Sequence, residues 1–431
     1  MKNLKSKYIG YAFLLTATAF TTACNKEYTN PNAATADQVL TSAKGLTGVT
    51  VGLQKIYSTS RAGVLYASLT ANGLTTNELI SINTGNTNEE RLAAGGVQVD
   101  GTNTILGNIW TATNKIIFDA DNVIANASTL TDKNYAAGLI AHASIFKALA
   151  LGNLSEFWEK IPAGTGQNVQ FVTRLDGFNK AIATIDNALA VISANSISTA
   201  FTGNIPSGLD IPNTLNALKA RYALFAGNYA LALSSANAVD LTKKSTFTYD
   251  ALNLNPIFEV ATSTNNVIQP KNLSLGQIGT NVPDAGDARI PFYTTVNTTV
   301  RISGFGAGTF TQFPVYLPGE ITLIKAEAYA RQATPNLSSA LTELNKVVTK
   351  TAATDPFGLG AALPALTGPF TQTELLDLIY KHRCIELFMS GLKLEDMRRF
   401  SRPVSEMKRS FMPYPFQERD NNTNTPANPT F

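Results

Sequence analysis

The 431-residue chain has two cysteines, two histidines and two tryptophans, and only 15% of its residues are charged. An ordinary soluble domain carries roughly a quarter. Each shortage removes a class of explanation. Cys24 ends an apolar leader, which leaves Cys384 no second thiol to pair with, so no internal disulfide holds the fold. Cys384 lies in a helical pattern beside Ile385 and reads as a small buried hydrophobe rather than a nucleophile. His142 and His382 are isolated from each other, each in a helical pattern, and two such histidines make a poor metal site. The stretch 304–308 (GFGAG) is not followed by Gly-Lys-Ser/Thr and opens no obvious helix, so it is a poor phosphate loop. No cofactor is expected. Lys plus Arg number 34 and Asp plus Glu 31, and the whole surplus is Lys2, Lys5 and Lys7. The chain after residue 23 is therefore neutral, and nothing in it recruits a phosphate backbone; nucleic acid is not an expected partner.

Those three lysines open an export leader. Residues 8–20 are mostly apolar but too short to span a bilayer, and Thr21-Thr22-Ala23 supplies a small-residue cleavage zone. Cys24 follows at once. That order resembles a bacterial lipobox, in which the thiol is lipidated, although Thr21 stands where the pattern usually has Leu. An ordinary signal peptide followed by an incidental Cys is the other reading of the same residues. Asn25-Lys26-Glu27 resemble a signal that sends lipoproteins of some Gram-negative bacteria to the outer surface of the outer membrane. Burying acyl CH₂ groups yields about 0.8 kcal/mol each, so a lasting anchor takes more than one chain. On this division residues 1–23 are leader, 24–36 a polar tether containing Pro31, and 37–431 one domain. No later apolar run is expected to cross a membrane.

What the chain does have is helical hairpins. Ile321, Ile324 and Ala328 fall on one helix face, the chain breaks at Thr334-Pro335-Asn336, and Leu337, Leu341, Leu344 and Val348 form a second apolar stripe. Two amphipathic helices joined by so short a turn lie back to back. One hairpin cannot bury both stripes and needs neighbours. They are supplied by Leu139–Ala150, by Phe178, Ile182, Ile185, Leu189 and Ile192, and by Leu215–Phe225 turning at Gly227-Asn228 into Tyr229, Leu233 and Ala236. Residues 220–239 and 326–348 share a small-residue helix, a turn and a helix with Ala and Leu at corresponding places. The expectation is a mainly α chain of about four tetratricopeptide-like hairpins, at about 110–240 and 319–400; unrelated helical hairpins fit the same pattern. Helices are also expected from Ala43, through 65–80, over 110–127, and last over 374–390, where Thr371 and Glu374 form a capping box. Residues 245–318 break the rhythm with short β-branched and aromatic runs between Gly, Pro and Asn. A loop region of that length is uncommon unless it is functional.

The stretch HRCIELFMSGLKLEDMRRF (382–400) resembles the C-terminal signature of the SusD/RagB family of surface nutrient-binding lipoproteins, with Arg383, Glu386, Leu387, Gly391, Asp396, Arg398 and Arg399 in place. ITLIKAEAYAR (321–331) and FMPYPFQERDNN (411–422) are similar to two further family segments. Cys384, Ser390 and Trp158 depart from the usual residues. The resemblance implies a helical-repeat scaffold with an irregular ligand-facing half. It implies a SusC-like, TonB-dependent outer-membrane barrel as partner, and non-enzymatic capture of an oligosaccharide or, in some members, a peptide. The expected place is the cell surface, tied by lipid to the outer membrane.

Sugar rings stack their C–H faces on flat side chains and give their hydroxyls to amides and guanidinium groups. On type and location the candidate ligand residues are Asn83, Asn86, Phe292, Tyr293, Arg301, Phe305, Phe310 and Phe313. Trp110 and Trp158 lie in or beside helices and read as core. Glu89-Glu90 reads as a solvated pair rather than a calcium site. Arg383, Glu386, Asp396 and Arg398 read as a charge network that fixes the last helix, because a carboxylate beside Arg stays ionised while a general acid needs a raised pKa. A glycoside hydrolase would need two carboxylates facing each other roughly 5–9.5 Å apart, and no convincing pair stands out. A protein-binding repeat scaffold with no small ligand is the remaining rival.

Overall fold

Asn, Asp, Ser and Thr open most of the longer helices, each satisfying backbone N–H groups that the first turn leaves free, at about 1 kcal/mol apiece. In the computed structural model, which describes residues 39–262 and 266–431, Ser42 caps α1 (Ala43–Ser58), and α2 (Val64–Thr75) leads to strand β1 (Leu79–Ser81). The expected leader, Cys24 and the whole of the expected tether lie outside the described residues. After α3 (Thr87–Ala94), Asn103 accepts from the amides of Ile105 and Leu106 and starts α4 (Thr104–Ala127) six residues before Trp110. Asp132 caps α5 (Lys133–Phe157). The pair β2 (Lys160–Pro162) and β3 (Phe171–Thr173) precedes α6 (Arg174–Ala194), which begins with a Thr173–Asp176 capping box. A short α7 (Thr199–Thr202) follows, then α8 (Ile211–Phe225), turning at Gly227 and Asn228 into α9 (Tyr229–Asn237).

Successive helices pack on one another: α4 on α5, α5 on α6, α6 on α8, α8 on α9. The stack then jumps in sequence, because α9 and α8 pack on α11 (Pro318–Arg331), which pairs with α12 (Leu337–Val348) as a hairpin. The chain is mainly α, as the hairpin periodicity predicts. Residues between α9 and α11 leave the stack and return to it. Their neck is clamped by β4 (Thr246–Phe247) against β8 (Phe313–Pro314), with Thr246 opposite Pro314 and Phe247 opposite Phe313. Inside this excursion lie β5 (Ile268–Pro270), a short α10 (Arg289–Tyr293), and the hairpin β6 (Thr294–Asn297) and β7 (Thr299–Ile302). β5 pairs with β1, so the expected helix over 65–80 stops at Thr75: the next residues form a ladder with a strand nearly 190 positions away.

The C-terminal part refines two expectations. The Thr371–Glu374 capping box is present, but α13 (Gln372–Glu386) ends before Ser390, where Met389 and Gly391 take positive φ of 59° and 79°. α14 (Lys393–Arg399) then forms separately, and α15 (Phe416–Asn421) lies within the otherwise irregular tail. α5 is long and apolar enough to cross a membrane by composition, contrary to expectation, but 89% of that stretch is buried inside the protein, and it serves as the central core helix. Its Gly152 faces Tyr222 so closely that a Cβ would lie 2.2 Å from the phenol oxygen. Gly152→Ala is therefore expected to destabilise by about 1–3 kcal/mol through overpacking, read as a lower urea midpoint.

Candidate functional site

The predicted ligand residues fall into two sets. Phe292, Tyr293, Phe305 and Phe313 join Phe357 and Phe388 in one aromatic cluster, with ring centroids 5.1–6.1 Å apart in mostly edge-to-face contacts. Tyr293 and Phe313 are buried, and the Tyr293 hydroxyl donates to the Glu386 carbonyl at 2.6 Å. These two are thereby corrected from ligand platforms to core: they glue the excursion onto the C-terminal half. Phe292 and Phe305 are half-buried in the same cluster.

The second set, Asn83, Asn86, Arg301 and Phe310, is exposed or half-buried. The Ile82 amide donates to the Val267 carbonyl, which lays the loop after β1 beside Asn266, and Arg301 donates to Asn266 Oδ1 at 2.6 Å. Gln269 donates to that same oxygen at 2.9 Å and accepts from the Ile302 amide, tying β5 to β7. Asn83 is exposed at the loop tip. Asn86 is half-buried and held by Arg61, whose guanidinium donates to it at 2.9 Å and reaches Glu89 at 2.5 Å. Glu89 is fully buried and ion-paired, so it is not half of a solvated pair as its sequence suggested. Arg301 forms no ion pair among the described residues, which leaves most of its donor fork open. Ile80 in β1, Ile82 just after it and Val296 in β6 are exposed, and Phe310, on the loop before β8, has 58% of its surface exposed. Asn266 and these exposed apolar residues have no motif. The signal that would have found them is the β1–β5 pairing.

The charged residues near the C-terminus are mostly buried and ion-paired, and they form three groups rather than one. Arg383 grips Asp396 with two bonds of 2.9 Å, and Arg399 adds a third at 2.8 Å while pairing with Glu327 at 2.7 Å. Burial alone would raise the Asp396 carboxyl, yet Arg383 and Arg399 hold it below its ordinary range. Glu386 does not face Arg383. It accepts from Lys350 at 2.6 Å and Arg289 at 3.2 Å, and Arg289 also grips Asp287. Arg398 pairs with Glu395 at 2.8 Å, and Arg174 reaches the same carboxylate. His382 packs against Arg289, and His142 lies among aromatic rings; burial pushes both well below the ordinary histidine range, His142 to about 3, so both are neutral. Trp110 and Trp158 are buried edge-to-face, 4.8 Å apart. Cys384 is buried, and its thiol is pushed up to about 12 by burial, which makes it inert.

No family model matches the chain, and no curated protein is similar to it in sequence. Solved structures are similar in shape. A chitin-binding SusD homolog from Flavobacterium johnsoniae superposes with a TM-score of 0.69 at 15% identity, over 90% of this chain and 97% of that one. A SusD superfamily protein from Bacteroides thetaiotaomicron gives 0.67 at 14% identity, over 90% of this chain and 100% of the other. A SusD-like carbohydrate-binding protein from Bacteroides fragilis gives 0.62 at 13%, over 84% and 87%. The chain thus has the SusD fold over about nine-tenths of its length, 90% in two of these superpositions.

Proposed function

We propose that this protein is a cell-surface lipoprotein of the SusD type that captures a glycan without cleaving it and passes it to a SusC-like, TonB-dependent outer-membrane barrel. The observation that carries the reading is the fold, common to this chain and to proteins that bind chitin and other carbohydrates. In this reading residues 37–431 act as one domain, and Cys24 carries the lipid that ties it to the outer membrane. Capture falls to the face formed by Asn83, Arg301 and Phe310, where an open guanidinium fork and an amide stand beside exposed apolar surface. Asp287, Glu327, Glu386 and Asp396 serve elsewhere, each paired with an arginine or lysine.

The test is affinity electrophoresis of the purified protein through gels containing chitin fragments, starch or β-glucans. At least one neutral glycan is expected to retard it, with no new reducing ends. Arg301→Ala is expected to weaken binding about tenfold, near 1.4 kcal/mol. Release of shorter sugars by the protein alone would overturn the non-enzymatic reading. Retention of Cys24→Ala in the membrane fraction would overturn the anchor.

A further inference from the structure

Four phenylalanine rings stand at least half exposed among the described residues: Phe118, Phe310, Phe416 and Phe431. Two of them line one trench, which shares no lining residue with the face just described. Asn108, Thr111, Asn114 and Phe118 follow one another along a single face of α4, over roughly 15 Å of helix axis. The opposite wall is the tail segment around α15, including Phe416 and Gln417, and the loop between β2 and β3 closes one end with Thr165 and Gln167. Two adjoining hollows of about 430 and 500 Å³ meet at Thr111 and Gln417.

The walls are fastened before any ligand arrives. Trp110 donates its indole N–H to Glu418 at 3.0 Å, and Asn422 donates to the other Glu418 oxygen at 2.8 Å and to the Val169 carbonyl at 3.0 Å. The Phe416 amide donates to the Gly101 carbonyl at 3.1 Å, and Asn424 donates to the Asn168 carbonyl at 2.6 Å. Glu418 is the one charged residue in the lining, and both its oxygens are engaged. In contrast, the side chains of Asn108, Thr111, Thr165, Gln167 and Gln417 make no hydrogen bond among the described residues. Exposed phenyl faces (Phe118 at 53% and Phe416 at 50%) therefore stand beside unspent amides and hydroxyls, in a groove with no free charge.

We infer that this trench is a second binding surface for a neutral oligosaccharide chain, independent of the Arg301 face. Rings stack by their apolar C–H faces on Phe118 and Phe416, while Gln167, Gln417 and Thr111 exchange hydrogen bonds with hydroxyls. The absence of free charge disfavours anionic sugars and charged peptides, whose ionic groups would be desolvated without a partner. Two separated sites on one protein hold a long polysaccharide more firmly than either alone, because the second contact is intramolecular.

Four proteins test it: wild type, Arg301→Ala, Phe118→Ala with Phe416→Ala, and all three together, each checked for an unchanged thermal melt. Retention by neutral polysaccharide gels and affinity for the hexaoses of the chitin, cellulose and starch series are measured. The double phenylalanine variant is expected to lose at least tenfold in polysaccharide affinity, and the triple variant to lose more than either parent. A double variant that folds and binds every glycan as wild type does overturns the trench, whatever Arg301→Ala shows, and so does wild-type protein that binds none. Loss confined to the phenylalanine pair upholds the trench and counts against the Arg301 face.

Discussion

Asp396→Ala is expected to lower the unfolding free energy by about 3–5 kcal/mol, the largest effect of any single polar change considered. Arg383 is fully buried and both its strong hydrogen bonds go to Asp396; its next carboxylate, Glu327, is 3.8 Å away and already shared by Arg331 and Arg399. Its remaining nitrogen, Nη1, has no partner among the described residues. Removing the carboxylate strands a desolvated guanidinium between α13 and α14. The comparison that identifies this cause is the double change Arg383→Met with Asp396→Ala, which removes both charges and keeps most of the Arg383 volume. It is expected to be more stable than Asp396→Ala alone, since the cost lies in the unpaired ion rather than in the lost contact. Urea unfolding of the three proteins measures it. A double variant less stable than Asp396→Ala would show that the pair contributes through packing instead.

That network also marks how far the sequence could be read. The hairpin 321–348 was legible because its apolar stripes, its break at Pro335 and its cap at Asn336 are all local. α14 was not, because its seven residues (KLEDMRR) are largely charged and carry no apolar stripe, yet five of them are buried, and Arg398, Arg399 and Asp396 are bonded to α5, α11 and α13. β1 escaped for a related reason: a three-residue strand is defined by its partner, and that partner lies across the chain. The candidate site was half legible. Residue type and loop location picked out Asn83, Arg301 and Phe310, which are exposed or half-buried, but Tyr293 and Phe313 have the same type and location and are core. What separates them is contact with Phe388, Phe305 and the Glu386 backbone, which no local pattern encodes.

Glu78 carries the second large effect, with the opposite pH sense. It follows α2, is 1% exposed, and its Oε1 has no hydrogen-bond partner among the described residues. Burial pushes its carboxyl up to about 7, against the pull of Lys393 and with a smaller push from Asp396. The unfolded chain releases this proton near 4.5 while the folded protein keeps it until about 7. In that window the unfolded state binds fewer protons, so stability falls as pH rises, by about 3 kcal/mol in all. Glu78→Gln removes the titration at constant shape. It is expected to match wild type below pH 4.5 and to exceed it by up to about 3 kcal/mol above pH 7. Glu156, raised by burial to about 8 and opposed by Arg221, contributes a loss of the same sign, so the variant keeps a shallower slope rather than none. Asp396 works at the other end: its stabilisation is present above the ordinary aspartate pKa of 3.8 and is lost as pH falls below it. The stability profile should therefore peak on the acidic side of neutrality. Urea unfolding at pH 4.5, 6 and 8 decides the matter, since equal slopes for wild type and Glu78→Gln would mean that the folded protein holds Glu78 ionised after all.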